Sequence, residues 1–209
     1  MLSNQTIDRL NKLGVPTNSA LPKVVIKSLR TSVEVAKRIN IFGVFIAICD
    51  DPKSIPFFKK LIEEQDMVNV LSKSEKIILN RGKILRQEEI DKSWYQEGLY
   101  ALSWCLGIIE KIELPQNEAN LNPIFPHLPP EIDIKKFVDN AKLIDDQEVL
   151  QETEFYYGLH WALRHPESWS ILNKLKYKKY NLSIVRERRK SFEWLIDDSL
   201  EWDDISLDT

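Results

Sequence analysis

The sequence predicts a mainly α protein: a single-domain, bundle-like array of about seven to nine helices with at most one short strand pair. Three observations carry this. Apolar residues recur at helical spacings of three, four and seven, as in Trp94, Ala101, Trp104, Cys105 and Ile108. Thr31-Ser-Val-Glu34 and Ser72-Lys-Ser-Glu75 each fit a capping box, in which hydroxyl and carboxylate satisfy each other's backbone N–H groups at a helix start. No internal repeat, low-complexity tract or alternating strand series occurs.

In chain order, Ile7, Leu10 and Leu13 mark a short first helix, capped by Ser3 or Asn4 and stopped by Gly14 and Pro16. Residues 20–30 are open between a strand at Val24, Val25 and Ile26 and a helical turn begun by Pro22. The helix after Thr31 runs through Val35, Ile39, Phe42, Phe45 and Ile48, apolar nearly all round at its end and therefore buried, until Asp50, Asp51 and Pro52 break it. The next is expected from Ser54 to Val70, with Pro56 tolerated in its first turn. A short helix follows Ser72 and stops at Gly82. Residues 87–109 read as one central helix with Trp94 and Trp104 in the core. Residues 112–130 hold Pro115, Pro123, Pro126, Pro129 and Pro130 but also Leu121, Ile124, Phe125 and Leu128, too apolar for a free linker, so a packed crossover is expected. Pro130 or Glu131 opens a helix with Ile134, Phe137 and Val138; Asp145 and Asp146 start another that reaches Arg164. Residues 170–185 are open between loop, helix continuation and hairpin. The last helix is expected from Asn181 to Asp197, and Trp202 then inserts where the tail folds back. Asp203 and Asp204 meet arginines of the bundle or cap a helix N-terminus.

Hydrophobic residues make up 43% of the 209 and charged residues 29%, ordinary for a water-soluble globular chain. The net charge of -3 is too small to imply a nucleic-acid or membrane-surface partner. The longest apolar stretch, Ile39 to Cys49, is interrupted by Asn40 and too short to span a bilayer. Cys49 and Cys105 sit within apolar runs and read as buried free thiols, which with the absence of a signal-peptide pattern gives a cytoplasmic expectation.

Three blocks carry a family resemblance. They are Thr31 to Arg38; Trp94 to Gly107; and Tyr157-Gly-Leu-His-Trp-Ala-Leu-Arg164 joined to Val185-Arg-Glu-Arg-Arg189, Trp194-Leu195 and the closing Trp202-Asp-Asp-Ile-Ser-Leu-Asp-Thr209. In this order they resemble the bacterial domain of unknown function 4272 family across nearly the whole chain. The chain departs from that pattern at Tyr157-Gly158, where an arginine is expected. The resemblance implies a mostly helical fold and no assigned reaction.

No catalytic template fits. His160 and His165 are five apart and fall on different helix faces, His127 is remote, and no Cys-x-x-Cys occurs, so zinc is not expected. Asp197, Asp198, Asp203, Asp204 and Asp208 lack the glycine turn of a calcium loop, and ion pairs with Arg186, Arg188 and Arg189 are the expected use. Phosphate loops, dinucleotide fingerprints and a serine-nucleophile elbow are absent, so no cofactor is expected. Lys174 to Tyr180 mixes lysines with aromatics, as single-strand binders do, but the acidic segment that follows offsets its field. A glutamate between Trp94 and Trp104 on the central helix, Glu97, is costly to bury without an arginine. Glu34 with Arg38, and His160 with Arg164, lie at i, i+4.

Two functional readings follow. The first is a non-enzymatic, cytoplasmic protein-interaction domain, in one version an immunity- or antitoxin-like protein that meets its partner through an acidic surface. The alternative is a small-ligand binder or enzyme with a polar cleft formed by Glu97, His160, Arg164, Glu187 and Arg188; Trp202, Asp203 and Asp204 are further ligand or polar-network candidates. Oligomeric state is open in both.

Overall fold

The computed structural model describes residues 1–208, and its regular elements are helices: α1 (Asn4–Leu13), α2 (Ser32–Asp50), α3 (Ile55–Glu64), α4 (Lys73–Arg81), α5 (Arg86–Ser93), α6 (Tyr95–Cys105), α7 (Ile134–Asp139), α8 (Asp146–Arg164), the single turn α9 (Lys174–Tyr177) and α10 (Leu182–Ile196). An all-α array is therefore the fold. Four helices form its spine in the spatial order α2, α6, α10, α8; α1 packs on α8, while α5 and α7 pack on α2. α6 is the most deeply placed, with every residue but Gln96 buried. Gly98 allows this depth: a Cβ there would lie 2.9 Å from Phe42 Cε2 of α2 and 3.0 Å from Ser191 Oγ of α10. A glycine in a helix interior is unfavourable by itself, and here close packing of three helices offsets it.

Local start and stop signals act as the residues dictate. Ser3 caps α1, Thr31 and Ser72 form full capping boxes, Asp145 caps α8 and Asn181 caps α10. Four expectations change. The helix after Ser54 ends at Glu64 and not at Val70: Asp66 takes a left-handed φ of 50°, and the reversal drops Met67, fully buried, into the core. The helix expected over 87–109 is two helices that meet at Trp94. The break leaves Trp94 half-buried and turns Tyr95 into the core position, against Phe42 at 4.6 Å between ring centroids. Trp104 is buried as expected. The helix expected from Pro130 or Glu131 starts at Ile134, because Asp133 supplies the capping oxygen to Lys136 N. Residues 20–30 form neither strand nor helix but an extended strap. Lys27 N and Arg30 N donate to Ile196 O and Leu195 O at 3.0 Å each, and Asp198 N donates to Ser28 O at 3.0 Å. Its one bridge, Ser28 with Asp197, is parallel, so the strap holds the C-terminal end of α10.

The proline-rich crossover is packed as expected, with Leu121, Ile124 and Leu128 buried. Among the described residues no helix is long and apolar enough to cross a membrane.

Candidate functional site

The polar side chains singled out in the sequence divide into three separate buried centres. The first joins α6 to α10. Glu97 is fully buried, and Arg188 Nε donates to its Oε2 at 2.8 Å; the backbone N–H of Ala119, in the crossover, donates to Oε1 at 2.7 Å. Arg188 is 1% exposed and its NH1 donates to Tyr156 Oη at 3.0 Å and Glu113 O at 2.6 Å, with its Cζ 4.7 Å from the Tyr100 ring centroid. The arginine that Glu97 requires thus comes from the last helix, and the pair ties the crossover to the spine. Burial pushes the Glu97 carboxyl up, against Arg188 and the Ala119 N–H, because one donor from each leaves it under-satisfied.

The second centre is the densest in the molecule and is built around Glu75 at the start of α4. Arg38 of α2 forks onto it, NH1 to Oε2 at 2.9 Å and NH2 to Oε1 at 2.7 Å, with NH1 also on Val70 O at 3.0 Å. Tyr95 Oη donates to Oε1 at 2.7 Å, Ser72 N donates to Oε2 at 2.7 Å, and Lys92 reaches Tyr95 Oη and Ser74 Oγ. Burial opposes the charge on Glu75, yet Arg38 and this ring of donors outweigh it and hold the carboxyl below the usual carboxylate range. Two buried glutamates thus shift in opposite directions: Glu75 has a bidentate arginine with Lys92 nearby, while for Glu97 burial outweighs Arg188 and one backbone donor. Arg38 was expected beside Glu34 at i, i+4; instead Glu34 is spent on Thr31 and on Arg30, outside the core.

The tail closes this second centre. Trp202 is 3% exposed and lies between two cations, 4.6 Å from Arg38 Cζ and 4.7 Å from Lys190 Nζ, with Phe42 at 4.9 Å on its edge. Asp203 accepts from Ser74 N at 2.7 Å and Ser74 Oγ at 3.0 Å in the first turn of α4, where a carboxylate offsets the helix dipole, and Asp204 pairs with Lys73 at 2.9 Å. Further back, Asp197 binds Lys27 at 2.7 Å and Asp198 accepts from Ser28 Oγ at 2.9 Å. The expected ion pairs of Asp197, Asp198, Asp203 and Asp204 with Arg186, Arg188 and Arg189 do not form; these carboxylates meet Lys27, Ser28, Ser74 and Lys73 and latch the tail, with Asp203 at the N-terminus of α4.

His160 belongs to a third centre. Arg189 NH1 lies 2.6 Å from its Nδ1, and since arginine can only donate, that nitrogen accepts and is unprotonated. Arg189 also donates to Leu207 O at 3.2 Å and to Glu193 at 3.1 Å. Arg164 is exposed at the end of α8, and Glu187 lies beside Arg186 and Lys190. Glu97, His160, Arg164, Glu187 and Arg188 consequently do not line one cleft: Arg188 is taken up by Glu97 of α6 and Tyr156 of α8, its neighbour Arg189 turns to His160, Glu193 and Leu207 O, and Arg164 is exposed. Burial, reinforced by Arg189, Arg164 and Arg186, depresses His160 to about 4. The unfolded imidazole takes a proton near pH 6.5 while the folded one refuses it until about 4, so stability falls as pH drops through that window. The loss expected at pH 4 is on the order of 2–3 kcal/mol. Urea melts at stepped pH check it: His160→Gln should flatten the slope between pH 4 and 6.5, and an unchanged slope would assign the acid loss elsewhere.

No group of three or more metal-ligating side chains comes together among the described residues. Both cysteines are free, and burial raises the Cys49 thiol to about 11 and Cys105 further, away from nucleophilic chemistry at neutral pH.

One surface feature escaped the sequence reading. After α8 the chain makes a 3-10 turn and α9, anchored by Trp169, which is buried and donates Nε1–H to Ala162 O at 2.8 Å, with Tyr177 edge-on at 5.5 Å. That anchor thrusts Ile171, Leu172 and Leu175 outward, 86%, 90% and 76% exposed. Lys174, Lys178 and Lys179, next to them in the chain, are exposed as well, and residues 168–186 contain no carboxylate. The only advance signal was the interleaving of lysine and leucine; which residues the anchor buries is a tertiary property.

No curated protein and no solved structure matches the chain. Residues 2–205 match the sequence profile of the family described as Domain of unknown function (DUF4272). With the match covering nearly the whole chain, this protein belongs to that family.

Proposed function

We propose that the protein is a cytoplasmic, non-enzymatic interaction domain that engages an acidic protein partner through the apolar knob formed by Ile171, Leu172 and Leu175. The exposure of that knob is the observation that carries the reading. Three neighbouring aliphatic side chains held in water by a rigid aromatic anchor are disfavoured by roughly 1.5–3 kcal/mol each relative to burial, and contiguous exposed patches of this kind mark interaction sites. The neighbouring lysines, with no carboxylate among them, suit a partner of opposite charge and predict association that weakens with salt. Free thiols fit a reducing compartment. An immunity- or antitoxin-like contact through an acidic face finds less support, because the tail carboxylates already have partners within the chain.

The test is a triple variant, Ile171→Ser, Leu172→Ser and Leu175→Ser. Its melting temperature is expected within about 2 °C of wild type, since surface substitutions away from packed features change stability little. In stoichiometric pull-downs from the native cells the wild-type protein should retain a partner that the variant loses. Equal recovery by both proteins would refute the knob as the contact.

A further inference from the structure

A second surface, which shares no residue with the knob, bears marks of a small-molecule site. α2, α3 and the crossover leading into α7 enclose a cleft of about 690 Å³, within the range of small-ligand sites. Phe57, Phe58 and Phe125 line it, Phe57 and Phe125 remaining 65% and 45% exposed at its rim. Three details distinguish it from a packing defect. Gly43 lines its wall in the middle of α2, and a Cβ added there would meet nothing within 4 Å. Unlike Gly98, it is not required by any neighbour in the chain, although glycine weakens a helix interior. Asn40, one turn earlier and only 7% exposed, also lines the cleft. Its amide nitrogen is tied to Ala36 O at 2.9 Å, while its carbonyl oxygen finds no partner among the described residues. That oxygen is not sealed in the core but open to the cleft, where a ligand donor can take the place of water. Finally, the lining contains Asp50 and Asp133 and no lysine, arginine or histidine.

We propose that this cleft binds a small, largely apolar molecule, neutral or cationic, that lies against the Gly43 backbone and donates an N–H or O–H to the Asn40 carbonyl. Carboxylates and phosphates are disfavoured, because the cleft offers them no cation and two like charges. Its size and enclosure suit a ligand of one or two fused rings more than a peptide helix, which would need a longer groove.

N-phenyl-1-naphthylamine, a neutral aryl amine that fluoresces in apolar surroundings, is a suitable reporter. Its signal with the full chain should saturate at one equivalent. 1-Naphthylmethylamine should then displace it at about tenfold lower concentration than 1-naphthoate, a partner matched in size and opposite in charge. Gly43→Leu, which fills the cleft from α2, should weaken reporter binding at least about tenfold while the circular dichroism and melting curve stay native. Asn40→Leu gives an independent reading should Gly43→Leu misfold: it removes the acceptor and should weaken binding of the reporter and of the amine several-fold, while Asp50 and Asp133 keep naphthoate the poorer competitor. The proposal is overturned by a reporter that does not saturate, by Gly43→Leu binding as wild type, by naphthoate displacing as well as the amine, or by Asn40→Leu binding reporter and amine as tightly as wild type. Reporter affinity that falls as protein concentration rises would also overturn it, since a second copy of the chain would then be closing the cleft.

Discussion

Glu75→Ala is expected to lower unfolding free energy by about 3–5 kcal/mol, as measured by urea denaturation at pH 7, because it strands a buried guanidinium. Arg38 is 1% exposed, and its Nε already has no partner, so the centre has no spare acceptor to take over. The substitution also orphans Ser72 N and Tyr95 Oη and removes half of the capping box of α4. A surface salt bridge such as Lys60 with Glu64 offers the contrast: both side chains are largely solvated, and its loss is expected to cost less than about 1 kcal/mol. A Glu75→Ala cost of that smaller size would mean that Arg38 finds water on its own.

Trp202→Ala is expected to cost a similar 3–5 kcal/mol, since a buried indole is removed and the cavity cannot close easily. The ring is held by Arg38, Lys190, Phe42 and Trp194 from two helices, so its loss opens the second centre to solvent. The expected signature goes beyond a lower midpoint. Hydrogen exchange should quicken most at the start of α4, where Asp203 holds Ser74. Melting curves that coincide with wild type would show that the closing segment is not part of the frame.

The sequence made local structure legible and left partnership obscure. Capping boxes at Thr31 and Ser72 were readable because both halves of each lie three residues apart. The demand of Glu97 for an arginine was readable from burial cost alone, but nothing local says that Arg188, ninety-one residues on, meets it. The same limit explains Arg38. Its helical neighbour Glu34 looked like the partner, yet Glu34 lies in the first turn of α2, where the capping box claims it, and the buried part of Arg38 faces α4. Helical periodicity misplaced Trp94 for a related reason: residues 86–93 are too polar to continue a core face, so the chain breaks and Tyr95 is buried instead. The expected clustering of Glu97, His160 and Arg164 failed because adjacent arginines on one helix point to different neighbours. Neither the knob nor the cleft could be read in advance, since each depends on what the fold leaves uncovered.

The central claim is that the dense charges of this family member form a frame, and that binding lies on surfaces apart from them. A double-mutant cycle across Arg38→Met and Glu75→Leu, read as unfolding free energy, tests it most directly. Each single substitution should cost about 3–5 kcal/mol and the double no more than either, because removing both charges leaves neither buried alone. Costs that simply add would contradict the claim, showing that the two residues act independently and that the buried pair is not what holds α2 to α4.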